Sequence, residues 1–324
     1  MNSYRILSLD GGGIRGLITA VWLAELEKQL KKPIRQFFEL IAGTSTGSIL
    51  ASALSLGIPA QKIVELYLEK GSTIFPGTAS RLWSRVTRVF ADGVSAPKYD
   101  PAGLEQCLQE VFGKKTLGSL KVPTLIFSYN VFAREPVAFK SYRENFQNLP
   151  IWEVVRASCS APTYFPSMQL KVGQSTQPYI DGGVAANNPS ACAVAEGIAI
   201  NSKEKKADRV ALDNFVLASF GTGSSTRPIS AKESQEWGAL EWAVPIIDVL
   251  FDGSTDTSDY VARQIVADDR YFRFQMPLDK AYDDMDRADD VNLNALVGAA
   301  ESYLGSKDCT QMMKALVQML TAKA

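Results

Sequence analysis

Short apolar runs alternate along this chain with longer stretches of helical periodicity. Residues 4–9, YRILSL, form a strand-like run that ends in Asp10 and three glycines. From Gly16 to Leu30 the apolar positions change period: Leu17, Ala20, Val21 and Ala24 share one face, and Leu23, Leu26 and Leu30 an adjoining one. Residues 37–42 are a second apolar run, stopped by Gly43. Ser45 sits at the break, and residues 48–56 resume as a helix ended by Gly57 and Pro59. Residues 124–131, 137–141, 179–180 and 215–220 read as further strands, and residues 59–70, 152–157 and 191–200 as helices. Strands alternating with helices predict a mostly parallel sheet covered on both faces, an α/β architecture of three layers. Beyond Gly223 the pattern becomes helical, with one strand at residues 271–275. The expected organisation is a core over residues 1–223 and a mainly helical extension, residues 224–324, packed on the same domain.

Composition narrows the chemistry. The chain has 324 residues, 46% hydrophobic and 21% charged, the fractions of a soluble globular protein. It contains no histidine. Ser-His-Asp and Cys-His catalysis, HExxH metal sites and imidazole-ligated zinc are therefore excluded, and any nucleophile needs another base. With 34 basic and 35 acidic side chains, net charge offers no reason to expect a nucleic-acid partner. Cys107, Cys159, Cys192 and Cys309 form no CxxC pair and read as free thiols of a reducing compartment. No run approaches the ~20 apolar residues of a spanning helix. The N-terminal residues lack a basic stretch followed by a long apolar one, so the expected location is the cytoplasm.

Three motifs carry candidate chemistry. Gly43-Thr44-Ser45-Thr46-Gly47 is a GxSxG sequence between an apolar run and a helix. Such a turn needs small neighbours, lifts the serine hydroxyl off the sheet and aims a helix N-terminus at the reacting centre. Asp10-Gly11-Gly12-Gly13-Ile14-Arg15-Gly16 follows a strand and opens a helix. It matches GxGxxG, but a dinucleotide site expects an acidic residue about 20 positions later, and residues 29–36 are basic and polar. Consecutive glycine amides also suit an oxyanion hole, the reading preferred beside GTSTG. Tyr179-Ile180-Asp181-Gly182-Gly183 places a carboxylate in a glycine turn at a strand end. Asp181 reads either as the base that serves Ser45 or as a turn aspartate bonded to its own backbone. Asp10 is a competing carboxylate, better placed to hold the glycine loop.

Taken in order, DGGGIRG, GTSTG and DGG, with SCSAPTYFP at residues 158–166, resemble the patatin-like phospholipases over roughly residues 4–223. The resemblance implies a three-layer α/β/α fold and a Ser-Asp acyl hydrolase that needs no metal or organic cofactor. It assigns Ser45 as nucleophile and Asp181 as general base. The amides of Gly12, Gly13 and Ile14, with Arg15 nearby, would form the oxyanion hole, and residues 158–166 a rigid apolar wall. The expected activity is release of fatty acids from glycerophospholipids or related esters through an acyl-Ser45 intermediate. An acyltransferase, a neutral-lipid hydrolase and a silent lipid- or nucleotide-binding module are the alternatives; a regulatory activator is left open. For access to a membrane lipid, residues 81–90, RLWSRVTRVF, place Leu82, Trp83, Val86, Val89 and Phe90 on one stripe with Arg81, Arg85 and Arg88 around it. That pattern suits either peripheral contact with an anionic bilayer or a core helix with solvated arginines. Residues 242–251, interrupted by Pro245, read as packed core.

Overall fold

The structure, a computed structural model, describes residues 3–76, 97–224, 228–242, 245–278, 281 and 284–322. Residues 81–90, with the membrane contact expected of them, lie outside the described residues.

Five parallel strands make the centre of one sheet: β1 (Tyr4–Leu9), β2 (Leu40–Thr44), β3 (Thr124–Asn130), β7 (Phe215–Phe220) and β8 (Tyr271–Phe274), in the spatial order β3-β2-β1-β7-β8. Three antiparallel strands, β4 (Glu135–Lys140), β5 (Met168–Val172) and β6 (Ser175–Asp181), extend it beyond β3. Alternation along each central strand builds two cores. Leu7, Leu9, Ile41, Ile126, Val216 and Ala218 face one side, and Tyr4, Ile6, Leu40, Ala42, Leu125 and Leu217 the other.

The first face is covered by α1 (Gly16–Leu30), α2 (Thr46–Leu56), α3 (Ala60–Ile74), α4 (Ala102–Phe112) and α5 (Ile151–Ser158). The second is covered by α6 (Ser190–Asn201) and the end of α7 (Pro245–Ile265), through Ala193, Val194 and Ala262. Two C-terminal helices, α8 (Asp290–Leu304) and α9 (Lys307–Thr321), add Leu293, Leu296, Met313 and Leu316 to the first core. The three-layer α/β/α arrangement with a helical C-terminal region is the expected one. The C-terminal region contributes more than helices, because its strand β8 pairs with β7 and closes that edge of the sheet. Residues 242–251 depart from the packed-core expectation. Ile247 and Phe251 are buried, whereas Ile246, Val249 and Leu250 are exposed. Among the described residues no helix is long and apolar enough to cross a membrane, and all four cysteines are free.

One register positions the site. β4 pairs with β3 along its whole length, so β2 and β6 must share the opposite side of β3. β2 runs parallel to β3 as far as Thr44, opposite Phe127; β6 comes from the other end, antiparallel, and stops at Asp181, opposite Ser128. The two strands thus meet head-on, and the turns that end them, one carrying Ser45 and the other carrying Asp181, are forced together.

Candidate active site

The Ser45 hydroxyl donates to Asp181 Oδ2 at 2.7 Å, across 136 residues of chain. Ser45 stands between β2 and α2 at φ 53°, ψ −124°, a conformation that side-chain-bearing residues rarely adopt and that costs on the order of 1–3 kcal/mol. The surrounding glycines make the turn possible. A Cβ on Gly43 would lie 2.2 Å from the Gly47 carbonyl oxygen, and one on Gly47 would lie 2.1 Å from that of Leu9. Ser48 donates both its amide and its hydroxyl to the Ser45 carbonyl, at 2.8 and 2.6 Å. The Ser45 amide itself donates to Ser158 Oγ at 2.8 Å, and Ser158 Oγ–H donates to the Phe127 carbonyl at 2.6 Å. No spacing in the sequence signals the part played by Ser158.

Asp181 is fully buried. Its second oxygen, Oδ1, accepts from the Gly183 amide at 2.8 Å, and its own amide donates to the Ser160 carbonyl at 3.0 Å. Burial pushes its carboxyl up from 3.8 to about 7, while the hydrogen bonds from Ser45 and Gly183 pull the other way. Asp10, the rival carboxylate, is engaged elsewhere: its Oδ2 accepts from Arg273 at 2.6 Å in a buried pair. Cys159 also borders the site, but burial first and the Asp181 charge second push its thiol up to about 12, so it stays neutral.

The glycine loop passes over Ser45. Gly13 takes a left-handed φ of 60°, and a Cβ there would lie 2.1 Å from the Met285 carbonyl oxygen. Met285 lies in the C-terminal region, outside every motif. Its carbonyl accepts the Ile14 amide at 2.8 Å, which corrects the expectation that this amide is free for an oxyanion. The amides of Gly12 and Gly13 donate to no described residue. The loop is held by the Gly11 amide on the Asn187 carbonyl at 3.0 Å and by the Thr222 hydroxyl on the Gly11 carbonyl at 2.9 Å. Arg15 is buried and its Nε reaches the Gly12 carbonyl at 3.4 Å. It lines a polar cleft with Asp10, Asn187 and Asp252, not the space in front of Ser45.

That space is an apolar pocket with Ser45 and Asp181 in its wall. Ile49, Tyr67, Phe75 and Phe165 line it from the N-terminal part, and Phe251 and Met285 from the C-terminal part. The SCSAPTYFP segment supplies the wall expected of it through Cys159, Ala161, Tyr164 and Phe165. Buried Arg156 braces this segment by donating to Ser160 Oγ at 2.5 Å and to the Pro166 carbonyl at 3.1 Å. Among the described residues no group of three or more His, Cys, Asp or Glu is arranged to hold a metal ion. A nucleophilic hydroxyl, a buried carboxylate with a raised pKa, two free amides and a lipophilic cavity together suit acyl transfer from an apolar ester.

The family model of the patatin-like phospholipases matches residues 7–193. The chain is 31% identical over 341 residues to patatin-like protein 1 of Arabidopsis thaliana, covering 93% of this chain and 81% of that protein. It is also 31% identical over 290 residues to a cGAMP-activated phospholipase of Pseudomonas aeruginosa, covering 88% of this chain and 81% of that one. Among solved structures, VipD from Legionella pneumophila superposes with a TM-score of 0.43 at 11% identity, covering 94% of this chain and 67% of that one.

Proposed function

This chain belongs to the patatin-like phospholipase family, and we propose that it releases fatty acids from glycerophospholipids or related lipid esters with Ser45 as nucleophile and Asp181 as base. The observation that carries this reading is the 2.7 Å hydrogen bond from Ser45 Oγ to Asp181 Oδ2 in the wall of an apolar cavity.

As Ser45 Oγ attacks the ester carbonyl carbon, its proton passes to Asp181. A carboxylate of ordinary acidity would be a weak acceptor; one raised to about 7 by burial is better matched to the task at neutral pH. The carbonyl oxygen becomes an oxyanion; in this reading the Gly12 and Gly13 amides receive it, and the N-terminus of α2 behind Ser45 favours the same negative charge. Collapse of the tetrahedral intermediate breaks the ester C–O bond. The leaving alkoxide takes the proton from Asp181 and departs as the lysolipid. Water then attacks acyl-Ser45, its proton passes to Asp181, and the fatty acid and free Ser45 are regenerated.

The test is fatty-acid release from phospholipid vesicles. Ser45→Ala and Asp181→Asn should each lose at least about a hundredfold. Full activity in either variant overturns the assignment. If the deacylated lipid appears without free fatty acid and an added alcohol is acylated instead, the acyltransferase reading replaces hydrolysis. The Pseudomonas aeruginosa relative is described as cGAMP-activated, so the assay is run with and without cGAMP. Stimulation would identify the activator that the sequence left open.

A further inference from the structure

Arg273 reaches the glycine loop from the other end of the chain. It stands on β8 with its side chain 7% exposed, opposite Ser219 of β7, which stands opposite Ser8 of β1. Residues in register share a face of the sheet, so the three lie side by side across it. Ser8 and Ser219 are small and fully buried, and Ser190 Oγ lies 2.9 Å from the hydroxyl oxygen of each. Two strand spacings, roughly 10 Å, separate β8 from β1, a gap that takes a long side chain. The guanidinium passes Ser219 on the way: Nη1 donates to Ser219 Oγ at 2.8 Å, and Nη2 to Asp10 Oδ2 at 2.6 Å. Its Nε lies 3.8 Å from Asp259 Oδ1 on α7. That oxygen also accepts from the Tyr271 hydroxyl at 2.5 Å, and Asp259 Oδ2 accepts from Arg263 Nε at 2.8 Å.

Asp10 is the residue from which the glycine loop departs. Its amide donates to the Phe220 carbonyl at 3.0 Å, and its side chain is held by Arg273. Gly11, Gly12 and Gly13 follow without side chains, and glycine backbones admit many conformations. The place of the Gly12 and Gly13 amides is therefore set by contacts from outside the loop. At its far end the Met285 carbonyl receives the Ile14 amide. At its near end stands the Asp10–Arg273 pair. Desolvation offsets most of the attraction within a buried ion pair, so net stability is a small part of what this one supplies. A planar fork engaged with Ser219, Asp259 and Asp10 at once instead fixes where Asp10 stands.

We propose that Arg273 is a positioning residue for acyl transfer: through Asp10 it sets where the glycine loop holds the Gly12 and Gly13 amides. That role rests on the acyl hydrolase reading, but the state of the loop can be measured without turnover. Arg273→Lys keeps the charge and loses the fork. On a soluble short-chain ester it should lower kcat at least about tenfold with KM little changed, while the urea midpoint stays near that of the parent protein. Asp10→Asn should act in the same way. The Asp10→Asn/Arg273→Lys double variant should lose no more than the larger single loss, because both substitutions break one contact. In full-length protein without substrate, amide hydrogen exchange is read by mass spectrometry. Arg273→Lys should speed exchange over residues 10–16 at least about tenfold and leave residues 124–130 of β3 unchanged. If Arg273→Lys fails to fold, Asp10→Asn alone carries both measurements.

Three results overturn the proposal: parent-like kcat in the single variants, losses that multiply in the double variant, or exchange that rises equally over residues 10–16 and 124–130. The last would make Arg273 a brace of the sheet alone. A protein that hydrolyses neither lipid nor soluble ester, yet shows the selective rise in exchange, sinks the hydrolase reading and keeps Arg273 as the anchor of the loop.

Discussion

At the scale of single residues, the site combines strain, burial and unshared donors. Asp181 is the side chain whose ionisation governs the rest. In the proposed mechanism Asp181, whose carboxyl burial raises to about 7, must be ionised to accept the Ser45 proton, so kcat/KM should rise with pH, level off above about 7, and fall about tenfold per pH unit below it. A pH–rate profile on a soluble ester measures this; a flat profile down to pH ~5 would remove Asp181 as base. Ser158→Ala deprives the buried Ser45 amide of its acceptor, which costs about 1–3 kcal/mol. Since Ser158 acts through the position of Ser45, kcat should drop with KM little changed. Gly47→Ala places a methyl 2.1 Å from the Leu9 carbonyl oxygen. Neither backbone can yield without moving β1 or α2, so a loss of about 3 kcal/mol is expected by urea denaturation. GTSTG signals Ser45 and its glycines in the sequence, because the turn's steric demand is local. Ser158 is not legible there, since its partner is 113 residues away.

At the scale of elements, the sequence pattern locates most of the central strands. Covered on both faces, β1 and β7 read as mostly apolar runs, interrupted only by Arg5, Ser8 and Ser219, and the expected bounds match the observed ones. The edge strand β5 was not anticipated, because Met168–Val172 is only partly covered and its apolar signal is correspondingly weak. Residues 242–251 show the opposite failure. Their apolar count suggests core, yet α7 turns half of those side chains outward, and a count of residues cannot say which face finds a partner. The wall segment depends on one bridge between elements. Arg156 of α5 faces Glu105 of α4 at 3.3 Å and holds Ser160 and the Pro166 carbonyl. Arg156→Ala should cost roughly 3 kcal/mol by chemical denaturation and loosen the cavity. Arg156→Lys should recover little of it, because an ammonium lacks the planar fork that serves three partners at once.

For the whole molecule, site and stability are in opposition. Asp181 and Asp10 titrate at about 7 and about 6 in the fold, burial outweighing the Arg273 pair in the second case, against about 3.9 in an unfolded chain. Between those limits the folded state keeps protons that the unfolded state has lost. Both groups therefore favour the fold at low pH, and that contribution disappears as pH rises through 6 to 7. Asp181→Asn, for which loss of activity is expected, should be more stable than the parent protein above pH ~8, with the difference shrinking as pH falls below ~7 and gone only near pH ~4; urea midpoints across that range decide it. The site also spans the chain. Residues 1–223 expressed alone would lack β8, Phe251 and the Met285 carbonyl that receives the Ile14 amide. This fragment should be insoluble or inactive, as expression and circular dichroism would reveal.

What the sequence determined by itself is whatever local chemistry dictates. The strand, glycine-turn and helix order, the absence of histidine, and the candidacy of Ser45, Asp181 and the glycine loop are all of this kind. Tertiary structure alone decided which groups meet. Asp181 acts as partner to Ser45, and not merely as a turn aspartate, because β2 and β6 collide on one side of β3. Asp10 is withdrawn by Arg273, the Ile14 amide is taken by Met285, and Phe251 joins the wall of the pocket. These are contacts between residues far apart in the chain, set by sheet register and helix packing, and no periodicity or motif spacing encodes them one residue at a time.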